Sequence, residues 1–144
     1  MATVKTFLKK THQEVVVKVA GGGGTNVTIS LAELISNGQE LDPSAANQEV
    51  AILAAQWTGT VDGIATISRN ATTIMTLQST PAGIITLDDG TFVPDTVNAT
   101  SDIVVTTAGV SVEVWLRLKK LSGYRTLIEP EQFGHYDNPL VAGE

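Results

Sequence analysis

From Ser111 to Lys120 the chain reads SVEVWLRLKK, and within it Val112, Val114, Leu116 and Leu118 alternate with Glu113, Trp115, Arg117 and Lys119. A period of two puts the first four on one side of a β-strand and the second four on the other, so the stretch needs an apolar layer beneath it and tolerates water above it. The rest of the chain suits that demand. Threonine, valine and isoleucine supply 45 of the 144 residues, and these side chains, stiff at χ1, fit a pleated surface better than a helix.

Apolar runs recur between turn residues at spacings near the ~8–12 residues of a sandwich or barrel. They predict strands at Glu14–Ala20, Asn26–Leu31, Glu49–Trp57, Gly63–Arg69, Thr72–Gln78, Gly83–Leu87, Asp102–Thr107 and Val110–Lys120. The expected fold is therefore all-β, an antiparallel β-sandwich or jelly roll of about eight strands. Val61-Asp62-Gly63, Asp88-Asp89-Gly90 and Asn37-Gly38 mark turns, because Gly and Asn accept positive φ. Asp88 and Asp89 face opposite ways on a strand and shape a hairpin rather than a catalytic acid pair. Leu31–Ser36 predicts one short helix, with Ser30 as N-cap, Glu33 three residues later and Asn37-Gly38 as the stop.

A chain of this length forms one domain and can bury roughly 68% of its unfolded surface. The expected organisation is a single domain over 1–144, with an N-terminal arm at 1–13, a sandwich body at 14–120 and an extended C-terminal arm at 121–144. The chain has no cysteine, which excludes disulfides, Cys-based zinc sites and a thiol nucleophile. No apolar run approaches the ~18–20 residues of a spanning helix, and MATVKTFLKKTHQ lacks the apolar block of a signal peptide, so a soluble, unprocessed chain is expected. The three sequons at Asn26, Asn70 and Asn98 are then expected to carry no glycan.

Charge is uneven. Residues 1–20 carry four lysines against Glu14, residues 21–100 carry eight acids against Arg69, and residues 101–144 carry six acids against four bases. An acidic body argues against nucleic acid as the main ligand, since that affinity rests on cations neutralising phosphates. The patch of Lys5, Lys9, Lys10 and Lys18 reads as a solvated end or a contact for an acidic protein neighbour.

The residues supply no recognisable chemistry. The two histidines, His12 and His135, lie near opposite ends, and no GxSxG elbow, HExxH helix or DxDxDG loop is present. Gly21–Gly24 is followed by Thr25-Asn26-Val27-Thr28, another strand pattern, so it reads as a flexible connection and not a phosphate loop. No enzyme activity, cofactor or metal is expected.

Two surfaces remain to be covered. Trp115 beside Glu113 and Arg117 offers a large rigid contact with a charged rim, the composition enriched at protein interfaces. Either a partner covers it or the C-terminal arm does, through Tyr124 or Phe133. In EVAILAAQW, Val50, Ile52 and Ala54 alternate with Ala51, Leu53, Ala55 and Trp57, so both faces of that strand are apolar.

The pattern GVSVEVWLRLKKLSGYRTLIEPEQFGHYDNP, Gly109 to Pro139, in a cysteine-free, Thr/Val-rich β domain resembles small virion structural proteins of tailed bacteriophages, especially capsid decoration or cement proteins. The resemblance implies a protein on the virion surface that binds the outer face of the major capsid protein lattice, as a homo-oligomer such as a dimer or trimer, and helps the shell resist internal pressure. A tail, neck or head-fibre component has the same style. A carbohydrate-binding β-sandwich is the alternative of another class, with Trp115, Glu113 and Arg117 as its site. Candidate interface residues are Lys5, Lys9 and Lys10 in the basic start, Trp57, Glu113, Trp115 and Arg117 in the body, and Tyr124, Phe133 and Tyr136 in the final arm. Neither nucleic acid nor membrane is expected as a partner.

Overall fold

In the computed structural model, residues 2–86 and 97–126 are described. Eleven strands occur among them: β1 Val4–Lys10, β2 Glu14–Gly21, β3 Thr25–Ile29, β4 Gln39–Leu41, β5 Glu49–Gly59, β6 Ile64–Arg69, β7 Thr72–Gln78, β8 Gly83–Thr86, β9 Ile103–Ala108, β10 Val112–Ser122 and β11 Tyr124–Thr126. The expected hairpin at Asp88-Asp89-Gly90 and the candidate interface residues Phe133 and Tyr136 fall outside the described residues.

Two sheets carry the body, in the orders β1-β2-β10-β5-β8 and β3-β9-β6-β7. If the minor strands β1, β4 and β11 are set aside, the first of the eight remaining strands pairs with the last, the second with the seventh, the third with the sixth and the fourth with the fifth. Antiparallel β10·β5 and β6·β9 ladders complete each sheet. This nested pairing is the jelly roll, two Greek keys wrapped into facing sheets.

The core lies between the sheets and is built by alternation. Val15, Val17 and Val19 of β2, then Val112, Val114, Leu116 and Leu118 of β10, face Ile67 of β6 and Ile103 and Val105 of β9, all of them buried. Their neighbours in sequence face outward, as the period of two requires.

The ends differ from expectation. Residues 4–10 form β1 on the edge of the first sheet and do not hang free as an arm. Phe7 packs against the core while lysines occupy the open edge, a charge placement that discourages further strand addition. Beyond Lys120, β10 runs on to Ser122, and after Gly123, at φ 88, β11 pairs with β4. The expected helix is a single 3-10 turn, Leu31–Leu34, with the Ser30–Glu33 capping box formed and Ile35 already extended. Helix cannot continue because the Ser36 N–H is held by Gln39 Oε1 at 3.2 Å, and because Leu31 and Leu34 are both drawn into the core.

The glycine run is a tight turn rather than a loose connection. Gly23 N–H donates to Gly109 O and Gly24 N–H to Thr107 O, each at 2.8 Å. A Cβ on Gly22 would lie 2.3 Å from Val110 O, whereas one on Gly24 meets nothing within 4 Å but sits at φ +81. Gly22→Ala is therefore expected to lower unfolding stability by about 1–3 kcal/mol, and Gly24→Ala by about 1 kcal/mol from backbone strain. Urea denaturation of the pair checks the order.

Candidate binding face

The outer surface of the five-stranded sheet is ordered by its registers. Thr6, Lys18, Trp115, Gln56 and Ile84 stand opposite one another in turn and form one row across all five strands. Lys9, Val16, Arg117, Ala54 and Thr86 form the next. Between these rows lies an open groove of about 410 Å³, lined by Val16, Ala54, Ile84, Thr86, Trp115 and Arg117 among others. Its apolar wall ends at Ile84, which is 66% exposed. Small residues at Val16 and Ala54 leave the indole and the isoleucine standing above the sheet.

Paired charges rim the groove. Lys18 Nζ lies 6.0 Å from the Trp115 ring centroid and 3.9 Å from Glu113. Arg117 meets Glu14 at 2.9 Å, and Lys9 reaches the same carboxylate at 3.6 Å. The hydrogen bond from Arg117 holds the Glu14 carboxyl below its ordinary value. Such exposed pairs add little to stability. Their consequence is geometric, since they fix long side chains beside the indole and reduce the entropy that a partner must remove on binding.

Of the candidate interface residues, the fold brings Lys9, Glu113, Trp115 and Arg117 to this face. Lys5 and Lys10 turn elsewhere. Lys5 Nζ donates to Thr28 O and Glu33 Oε2, both at 2.7 Å, and Lys10 Nζ donates to Glu33 O at 2.9 Å while lying 4.3 Å over Phe7. They fasten β1 to the 3-10 turn. His12 does similar work in the β1–β2 turn, with Nε2 2.9 Å from Asn37 O and Nδ1 3.3 Å from Thr126 Oγ1.

Trp57 packs inward, against expectation. The β5–β10 register slips between Arg117 and Leu118, so Leu53 is an extra residue that reverses the parity of β5. Val50 and Ile52 face the core before it, and Ala55 and Trp57 after it, leaving Ala54 and Gln56 outside. Trp57 Nε1 donates to Gln78 O at 2.7 Å, and its ring lies on Gly83, where a Cβ would come within 2.9 Å. The strand is apolar on both faces because its phase changes halfway.

Tyr124 also turns to the core and does not cover Trp115. Its hydroxyl donates to Leu31 O, and burial pushes the phenol well above the usual tyrosine value. The unfolded chain releases that proton from about pH 10, while the folded chain keeps it, so the folded state binds more protons there. The contribution of Tyr124 to stability is therefore expected to fall above pH 10, approaching about 1.4 kcal/mol per pH unit, and it is read as the difference between wild type and Tyr124→Phe, because the lowered Lys120 acts in the opposite sense in both proteins. Denaturant midpoints from pH 9 to pH 11 provide the measurement, within the approximate range set by the free phenol.

Sequence reasoning found Trp115 and its charged neighbours but missed Val16, Ala54 and Ile84. Ile84 carried a signal, since Gly83-Ile84-Ile85-Thr86 places one isoleucine on each face of a four-residue strand. Ala54 carried none before the bulge was known. Among the described residues no three His, Cys, Asp or Glu side chains gather as a metal-binding group, and no helix is long and apolar enough to cross a membrane.

The strand order makes the chain a jelly-roll protein. No protein-family model matches it, and no curated protein does. A conserved protein with a double-stranded β-helix domain from Klebsiella pneumoniae subsp. pneumoniae MGH 78578 is similar at a TM-score of 0.40 and 11% identity, with 89% of this chain and 86% of that chain covered. An RmlC-like cupin protein from Desulfovibrio desulfuricans is similar at 0.37 and 10% identity, with 80% of this chain and 81% of that chain covered.

Proposed function

We propose that this is a non-enzymatic structural protein of a tailed-phage virion, a capsid decoration or cement protein that attaches to the outer face of the major capsid lattice. The observation that carries the reading is the Trp115 groove, a rigid aromatic and aliphatic strip on the outside of the sheet with fixed charges on its rim. Interfaces draw most of their energy from such central aromatic anchors, with polar groups around them excluding water. The space between the sheets is filled by valine, isoleucine and leucine, so recognition is assigned to the outer surface. The resemblance of residues 109–139 to virion structural proteins supplies the partner. Several copies on one lattice convert modest single contacts into strong attachment.

The test is co-sedimentation of the purified protein with shells of its own phage that lack it. Saturable binding at a fixed ratio to the major capsid protein, with a shell that resists heat or chelator better once coated, is the expected result. No binding to the shell, or binding without any gain in shell resistance, overturns the reading. Point substitutions on the face are cleaner probes than terminal deletions, because residues 1–12 contain β1 and residues 124–126 form β11. Removing either changes the fold along with any contact.

A further inference from the structure

The inward end of β10 holds a nucleophile that the outer face does not use. Lys120 takes the next inward position after Leu118 and is 8% exposed, and Gln39 of β4 is 7% exposed beside it. Lysine is almost never buried to this extent without a partner. Lys120 Nζ donates to Gln39 Oε1 and, at 2.9 Å, to Thr11 O, and it lies 5.1 Å over the Tyr124 ring. Gln39 Oε1 also accepts from Ser36 N at 3.2 Å and from Ser36 Oγ at 3.4 Å, while Gln39 Nε2 donates to His12 O at 2.9 Å. Burial first, and Lys10 second, push the Lys120 ammonium down to about 8. Roughly a tenth of it is then free amine at neutral pH.

We propose that Lys120 and Gln39 join in an intramolecular isopeptide bond between Nζ and Cδ, made by the folded chain itself. The neutral amine adds to Cδ. The charge that develops on Oε1 meets the Ser36 N–H and Oγ–H, donors already aimed at that atom. The Cδ–Nε2 bond then breaks, one proton passes from the attacking nitrogen to the departing one, and ammonia leaves. No oxidant, reductant or co-reactant takes part. The new amide keeps one N–H, which still serves Thr11 O.

Two physical effects favour the step. The fold holds the two groups in contact, which replaces a bimolecular encounter with a unimolecular one. The product also removes a charge from a place where burial disfavours it. The bond would tie β4 to β10 across 81 residues of sequence, at the opposite side of the sheet from the Trp115 groove and independent of what that groove binds.

The experiment is the intact mass of the full chain under denaturing conditions, followed by peptide mapping. Wild type is expected at its sequence mass less one ammonia, with a branched peptide joining Lys120 to Gln39. Lys120→Arg and Gln39→Leu are expected at full mass, and Ser36→Ala is expected to slow the loss of ammonia in a time course. Mapping is essential because ring closure at Asn37-Gly38 also loses one ammonia. A wild-type chain that stays at full mass after long incubation at about pH 9, where the amine is free, overturns the proposal. So does a wild-type deficit that peptide mapping places anywhere other than a branch between Lys120 and Gln39.

Discussion

Arg69→Met is expected to lower unfolding stability by about 3–5 kcal/mol, because it removes a buried charged side chain from its carbonyl partners. Arg69 is 2% exposed and ends β6 with its guanidinium inside the protein. It donates to Val50 O and Ala99 O at 2.7 Å, and to Ser101 O at 2.8 and 3.0 Å. Val50 N–H in turn donates to Ala99 O at 3.0 Å, so one side chain knots the start of β5 to the turn before β9. Methionine matches much of the volume but takes the donor from Val50 O and Ser101 O and leaves Ala99 O with the Val50 N–H alone, at about 1–3 kcal/mol for each unsatisfied group and less than additively. Lysine keeps the charge but not the planar fork, so Arg69→Lys is expected to recover less than half of the loss. Urea denaturation with an unchanged m-value is the measurement. A loss under about 1 kcal/mol for the methionine variant, the ordinary scale of a neutral hydrogen bond, would show that the knot is not held by this side chain.

On the proposed function, Trp115→Ala is expected to weaken attachment to the shell by about 30- to 1000-fold, the range of a central aromatic anchor, while unfolding stability changes by less than about 1 kcal/mol. The two effects separate because the indole lies on the outer face of the sheet and is not part of the core cluster. Trp115→Phe keeps a flat apolar surface and is expected to retain most of the affinity. Arg117→Glu tests the rim, since it places a second acid beside Glu14 where the pair now stands at 2.9 Å. Thr76→Ala, on the exposed side of β7 in the other sheet, is the control expected to change nothing. Binding by the Trp115→Ala protein at wild-type strength would remove the groove from the proposed mechanism, whatever the protein attaches to.

Much of the fold was legible because its cause is local. The alternation in β10 fixed which side of Glu113, Trp115 and Arg117 meets water, since a strand offers no third direction. Ser30 and Glu33 announced a cap, and the cap formed. Arg69 was visible as the one base among eight acids between residues 21 and 100, yet nothing in that isolation said that its partners were carbonyls 19 to 32 residues away. The β1 strand escaped notice because an edge strand with lysines on it carries little apolar pattern to read.

What the sequence by itself determined was therefore the class of structure, the inward face of β10 and the outward placement of Trp115, all consequences of periodicity along one segment. What only the tertiary structure decided was whatever depends on two segments meeting. The Leu53 bulge, which turns Trp57 inward and Ala54 outward, follows from register against β10. The groove exists because Val16, Ala54 and Ile84 arrive beside Trp115 from three other strands. The contact of Lys120 with Gln39 likewise needs β10 and β4, 81 residues apart in the chain, to be brought together. Such pairings are selected by the packing of the whole core, and no single stretch of residues encodes them.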